Sequence, residues 1–390
     1  MADLSVKEPG NAGPQPKAGL EDVVAGTSSV CLVDGTEGRL VYRGYDIQDL
    51  AENSSFAETA FLLWYGHLPA KKEFDQFLEE FRDAIELPLQ TNMILRLFPR
   101  TATPMEVLRT AVSSLGHYDP DSGNTSQEAC LRKAIRLTVR IGSIITAYER
   151  IRSGNDPIPP IPGKSLAFNF LYTLAGREPE PLLERIFDIC LILHADHEWN
   201  ASTFAARVTA ATMSDMYSSV TSAIGTLKGP LHGGANESVM KMLLEIGEPS
   251  KAAGWITNAL ANKVKIPGFG HRVYKTEDPR ATVLRKYSEQ LGKHTHQGKW
   301  YDISRVIEQV MFDYNLKEGR KIYPNVDFYS ASVYATMGLP TQLFTPIFAM
   351  SRISGWTAHI LEQWANNRLI RPRAEYTGPL RLSYVPIDRR

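Results

Sequence analysis

The stretch ACLRKAIRLTVRIGSIITAYERI, residues 129–151, decides the architecture of this chain. Cys130, Ala134, Leu137, Ile141, Ile144 and Tyr148 recur at intervals of three and four. Side chains so spaced stack on one face of a helix, which turns once every 3.6 residues. The same spacing appears upstream in EFDQFLEEFRDAIEL and PMEVLRTAVSSLG, and downstream in PLLERIFDICLIL and STFAARVTAATMSDMYSSVTSAIG. It continues through ESVMKMLLEIG, KAAGWITNALANKV, PRATVLRKYSEQLG, YDISRVIEQVMFDYN and FAMSRISGWTAHILEQWANN. Ser55 and Glu58 form a capping-box pattern at the head of FAETAFLLWYG. Regular β signal is confined to SSVCLVDGTEGRLVYRG, where two β-branched runs flank Asp34-Gly35 and predict one N-terminal hairpin. Strands and helices do not alternate, which argues against a parallel α/β sheet. The expected fold class is all-α with a small N-terminal β-hairpin. Proline-rich SGNDPIPPIPG, residues 153–163, reads either as a domain linker or as a rigid loop between two helices.

The 390 residues suffice for two to three domains at about 150 residues each. Forty-three basic and forty-three acidic residues leave no net charge, so a nucleic-acid backbone is not the expected partner. Cys31, Cys130 and Cys190 are odd in number and form no CxxC pattern, which speaks against a disulfide framework or a cysteine zinc site. No apolar run reaches the roughly 20 residues that span a bilayer, so no membrane partner is expected. Residues 1–17 read as a disordered tail without the apolar core of a signal peptide, and the cytoplasm is the expected compartment.

Gly163-Lys164-Ser165 imitates a phosphate-binding loop, but Ile158 stands where that motif requires glycine. Four other segments carry chemistry. HADHEWNAS places His194, Asp196, His197 and Glu198 within five residues, with the two histidines on one face if the segment is helical. Structural, substrate-binding and metal-binding readings all remain open for it, although HExxH is absent. Lys228-Gly-Pro-Leu-His232-Gly-Gly-Ala-Asn236 and Pro267-Gly-Phe-Gly-His271-Arg-Val-Tyr-Lys275 each set a histidine in a glycine turn, where a ligand can approach the backbone. Tyr323-Pro-Asn-Val-Asp327 embeds an aspartate among apolar groups, which raises its basicity unless it serves only as an N-cap. Arg352 interrupts the apolar run FTPIFAMSRISGW, so a carboxylate partner or ligand is expected beside it.

Taken in order, HADHEWNAS, KGPLHGGAN, PGFGHRVYK with DPR, YPNVD, SRISGW and NRLIRPRAEYTGP make the chain resemble the citrate synthase family, which includes 2-methylcitrate synthases. The likeness runs from about Gly19 nearly to the end. It implies condensation of oxaloacetate with acetyl-CoA and hydrolysis of the citryl thioester to citrate and CoA. The alternatives are propionyl-CoA as acyl donor, or a helical binding protein that has lost catalysis. By motif position the resemblance makes Asp327 the general base, His232 the hydrogen-bond donor to the thioester oxygen, and His271 the group that polarises the ketone of oxaloacetate. His197, Arg280, Arg352 and Arg371 match its oxaloacetate-binding residues, and Arg371 (with Arg368 and Arg373 nearby) is the one contributed across a homodimer interface. Arg272 and Lys275 are candidates for the CoA phosphates, and His194 is read as structural. No metal or redox cofactor is implied; CoA thioester is a co-substrate. The resemblance also implies a large helical domain, residues 18–224 and 337–390, and a small one, residues 225–336, that close over the substrates.

Overall fold

The computed structural model describes residues 18–20 and 23–390, so the tail expected over residues 1–17 lies outside the described residues. Ser28–Leu369 is one compact unit, and the terminal stretches up to Thr27 and from Ile370 to Arg390 form another.

The larger unit begins with a three-stranded antiparallel sheet of β1 (Cys31–Asp34), β2 (Arg39–Tyr42) and β3 (Tyr45–Asp46). The register pairs Cys31 with Tyr42 and Asp34 with Arg39. Asp34 Oδ1 accepts from the backbone N–H groups of Thr36 and Glu37, both at 2.9 Å, and so shapes the predicted turn. The third strand extends the expected hairpin by a short second pairing, too brief to leave a periodic signal.

The longer elements after the sheet are all helices: α1 (Ile47–Asn53), α2 (Phe56–Tyr65), α3 (Lys71–Ala84), α4 (Leu89–Leu97) and α5 (Pro104–Leu115) precede the central α6 (Gln127–Arg152). Then come α7 (Leu166–Ala175), α8 (Pro181–His194), α9 (Ala201–Ala211), α10 (Met216–Leu227), α11 (Ala235–Ile246) and α12 (Pro249–Ala261). The series closes with α13 (Pro279–Thr295), α14 (Lys299–Lys317), α15 (Val326–Thr336) and α16 (Phe344–Ala365). The deciding segment is thus one unbroken helix. It packs against α3, α4, α5, α7 and α16, and its buried residues include the predicted Cys130, Ala134, Leu137, Ile141, Ile144 and Tyr148. Helices α11 to α15 pack mainly on one another, whereas α16 packs on α2, α6, α8, α9 and α10.

Local chemistry explains the boundaries. Ser55 Oγ accepts from the Glu58 N–H at 3.2 Å, but the Glu58 carboxylate takes the Ser54 hydroxyl at 2.8 Å, so only half of the predicted capping box closes. The run from Ser202 to Gly225, read as one pattern, is two helices. Met213 turns left-handed (φ 65°), and Asp215 caps α10 by accepting from the Ser218 N–H at 2.9 Å. The proline-rich stretch is the loop between α6 and α7, fastened where Asn169 Oδ1 accepts from the Ile161 N–H at 2.7 Å. Among the described residues no helix is long and apolar enough to cross a membrane.

In the smaller unit, Ala18–Leu20 and Ile387–Arg389 are single 3-10 turns. Its stretch from Tyr376 onward leaves Leu380, Leu382, Tyr384 and Ile387 exposed.

Candidate active site

His194 is the last residue of α8, and His197 lies in the loop beyond it, before Asn200 caps α9. The helix ends between them, with Ala195 as its C-cap, and Glu198 just beyond His197 adopts a left-handed conformation (φ 53°). The two rings therefore do not share a helix face. His194 stays inside: its Nδ1–H donates to the Cys190 carbonyl at 2.8 Å, while burial pushes its pKa down to about 3. His197 turns toward the PGFGHRVYK loop, with its ring 5.1 Å from that of His271 and its Nε2 3.3 Å from the Tyr274 hydroxyl. Burial, reinforced by the Arg280 charge, keeps it well below the ordinary histidine range.

Two backbone N–H groups settle which nitrogen of His271 carries the proton. Val273 and Tyr274 donate to Nδ1 at 3.0 and 3.1 Å, so the ring is neutral with its proton on Nε2. Burial, with help from Arg280, lowers its pKa to about 4. Gly270 N–H donates to the Tyr323 carbonyl, and Asn325 N–H to the Gly268 carbonyl, each at 2.9 Å. These bonds lay the His271 loop against the head of α15, where Asp327 sits. Gly268 makes the approach feasible. Its φ is +79°, and a Cβ there would stand 2.8 Å from Val239 and 2.9 Å from Phe328.

Asn325, not Asp327, caps α15, by accepting from the Asp327 N–H at 3.1 Å. That frees the Asp327 carboxylate for other work. Its Oδ1 is buried without a hydrogen-bond partner among the described residues. Burial pushes its pKa up to about 6, against the opposing pull of Arg280.

His232 lies in the loop before α11, its Nε2 2.9 Å from the Ser202 hydroxyl and 3.4 Å from the Ser202 N–H that donates to it. An N–H aimed at Nε2 places the ring proton on Nδ1. Burial, aided by the Arg352 charge, lowers this ring to about 4 as well. Phe348 joins the parts: the His232 ring lies 6.4 Å from its ring, the His194 ring 5.0 Å, and the Arg352 guanidinium 4.7 Å.

The two buried arginines differ. Arg280 is locked in a double hydrogen bond to Asp278, Nε to Oδ1 at 2.9 Å and Nη2 to Oδ2 at 2.8 Å. Arg352 is only 1% exposed. Its Nε donates to the His194 carbonyl at 2.7 Å, yet no carboxylate pairs with it among the described residues. The carboxylate partner that sequence reasoning anticipated for Arg352 is thus not found among the described residues. Arg272 and Lys275 are exposed, and Lys275 lines a cavity of about 330 Å³ with His271, Tyr274, Asp278, Lys321 and Tyr323. Arg371 is exposed in the C-terminal stretch, which belongs to the other unit. No cluster of three or more histidine, cysteine or acidic residues that could hold a metal occurs among the described residues.

Comparison with known proteins decides the family. The model described as "Citrate synthase, C-terminal domain" matches residues 19–373. The chain belongs to the citrate synthase family. It is 52% identical over 374 residues to citrate synthase 2 of Bacillus subtilis, covering 95% of this chain and 98% of that one. The crystal structure of citrate synthase from Pyrobaculum aerophilum superposes with a TM-score of 0.90 at 41% identity, covering 100% of both chains. The ternary complex of carboxymethyl coenzyme A and oxaloacetate with citrate synthase from Thermoplasma acidophilum gives a TM-score of 0.88 at 34% identity, covering 95% of this chain and 98% of that one. As a family member this chain is an acyltransferase: it condenses acetyl-CoA with oxaloacetate and hydrolyses the citryl thioester to citrate and CoA. The thioester is co-substrate, and the family's reaction uses no resident cofactor.

Sequence reasoning missed Ser202, Tyr274, Asp278 as the holder of Arg280, and Lys321. Lys321 left no signal, because a lone lysine is ordinary anywhere, and Ser202, the last residue of HADHEWNAS, is an ordinary serine beside that segment's histidines. Tyr274 lies inside a quoted motif but was passed over for its histidine.

Proposed function

We propose that Asp327, His232 and His271 carry the condensation. Asp327 removes a proton from the acetyl methyl group of acetyl-CoA. His232 stabilises the resulting enol or enolate through Nδ1–H, placed near the thioester oxygen. The enol carbon then attacks the ketone carbon of oxaloacetate, a C–C bond forms, and the ketone oxygen takes up charge against the Nε2–H of His271. Water attacks the citryl thioester, and CoA leaves as the thiol. Neutral imidazoles suit both donor roles, since their proton affinity lies closer to that of an enol than an imidazolium's does. A carboxylate that is buried, unpartnered and raised to about 6 is a stronger base than one in water, and that observation carries the assignment.

His197, Arg280 and Arg352 hold oxaloacetate. Arg352 offers a desolvated guanidinium to one carboxylate, and Arg280 can offer Nη1, which lies outside its pair with Asp278. Arg371 reaches the site of a second copy in a homodimer. Support for a second copy comes from α4, where Leu89, Met93 and Leu97 lie on one face and remain 71%, 59% and 82% exposed. Arg272 and Lys275 meet the CoA phosphates, with Lys321 on the same cavity wall. The helices of residues 225–336, which pack mainly on one another, form the small domain and close against the rest to exclude water. The compartment is the cytoplasm.

The test is thiol release from oxaloacetate with acetyl-CoA and, in parallel, propionyl-CoA. Asp327→Ala should lower turnover by roughly 10²–10⁴, with circular dichroism and melting temperature preserved. Undiminished turnover would remove Asp327 as the base. Faster release from propionyl-CoA would make the enzyme a 2-methylcitrate synthase.

A further inference from the structure

Arg352, Gly355, Trp356, His359 and Glu362 follow one another at helical spacing along α16, so they form a single stripe. The stripe faces residues 194–207. Arg352 Nε donates to the His194 carbonyl at 2.7 Å, and the Gly355 N–H to the Ala195 carbonyl at 3.1 Å. A Cβ at Gly355 would stand 2.4 Å from both the Ala195 carbonyl oxygen and Asp196 Oδ1, so glycine is required for the contact. One turn on, His359 Nε2 meets Asp196 Oδ2 at 3.0 Å, and both side chains are fully buried. Arg207 Nη1 lies 3.1 Å from His359 Nδ1 and donates to Glu362 at 2.7 Å. A guanidinium can only donate, so His359 Nδ1 accepts, and the Nε2–H donates to Asp196 Oδ2. Asp196 directly precedes His197. Its own backbone is held by the Tyr42 hydroxyl, which lies 3.1 Å from its N and 2.9 Å from its O.

On the same stripe, the Trp356 indole N–H donates to Ser202 Oγ at 3.1 Å, and Ser202 is the partner of His232 Nε2. Indole is a donor only, so it occupies a lone pair of that oxygen and limits how the hydroxyl can turn.

We infer that this stripe of α16 positions the two substrate pockets separately, with His359 acting through Asp196 on the oxaloacetate side and Trp356 acting through Ser202 on the acyl side. Neither residue touches substrate; both are positioning residues. The inference rests on the roles proposed above for His197, His232 and Arg352.

The two channels separate in steady-state kinetics. Trp356→Phe keeps the ring packing but loses the N–H. It should lower kcat about tenfold and leave the oxaloacetate KM within about twofold. His359→Asn keeps an acceptor for Arg207 but cannot reach Asp196, and should raise the oxaloacetate KM about tenfold. His359→Gln restores an N–H at the Nε2 position and should recover most of that loss, which a purely structural role would not predict. Thermal melts accompany each variant, and Trp356→Phe stands as an independent arm if His359→Asn does not fold. Both variants moving the same kinetic parameter, or His359→Gln behaving like His359→Asn, would overturn the inference. Full turnover in His232→Ala, or an unchanged oxaloacetate KM in Arg352→Met, would instead overturn the reading beneath it, so the two failures are told apart.

Discussion

Two halves of the candidate site are built differently. The half carried by α8, the loop to α9 and α16 holds Asp196, His197 and Arg352 in a buried lattice of hydrogen bonds. The half carried by the glycine loops before α11 and α13 holds His232 and His271 only partly buried, each oriented by one or two N–H donors. Charge recognition needs a rigid, desolvated setting, since a guanidinium gains most from a carboxylate where water is excluded. Hydrogen-bond catalysis needs imidazoles that substrate can reach and that stay neutral. Loops supply the access, and neighbouring backbone N–H groups select the tautomer.

The sharpest way to break this comparison is to exchange its two buried arginines. Arg280→Met strands the fully buried Asp278 carboxylate and should cost about 3–5 kcal/mol of stability, read by urea denaturation. Arg352→Met strands no carboxylate among the described residues, so stability should hold or rise while the oxaloacetate KM increases roughly 10–100-fold. Equal destabilisation by both would erase the distinction between an internally paired and a ligand-facing arginine.

A smaller effect is expected at Gly268, where alanine meets positive φ and two nearby side chains. Gly268→Ala should cost about 1–3 kcal/mol and lower turnover by displacing the His271 loop from Asp327. Loss of stability with unchanged turnover would show that the loop's approach to α15 is not needed for chemistry.

The least drastic probe is pH. Asp327 must be ionised to act as base, so turnover should fall as pH drops through about 6. His232 and His271, lowered to about 4, are neutral across that limb and should not contribute to it. Stability follows the opposite logic for the two kinds of group. Each histidine takes up a proton more readily unfolded, so its contribution is lost as pH falls from about 6.5 toward 4. Asp327 holds its proton more tightly when folded, and so favours the folded state as pH falls from about 6 to 3.8. An acid limb that stays in place in Asp327→Glu but moves in a His271 variant would reassign the titrating group.

The sequence by itself determined the helical class and the positions of most helices. Burial periodicity is a local property, legible in α6 because one face of apolar residues persists along its length. It also marked the histidines and Asp327, since a glycine turn or an apolar setting around a polar residue is visible in a few consecutive letters. Helices α1, α4 and α7 escaped notice because they are short or apolar on several faces, so no single period dominates. Only the tertiary structure decided that His194 points inward and His197 toward His271, that Arg280 has an internal partner and Arg352 lacks one among the described residues, and that Asn325 frees Asp327 from capping. Ionisation and hydrogen bonding depend on groups brought together from distant parts of the chain, and no local pattern of residues encodes which of them will meet.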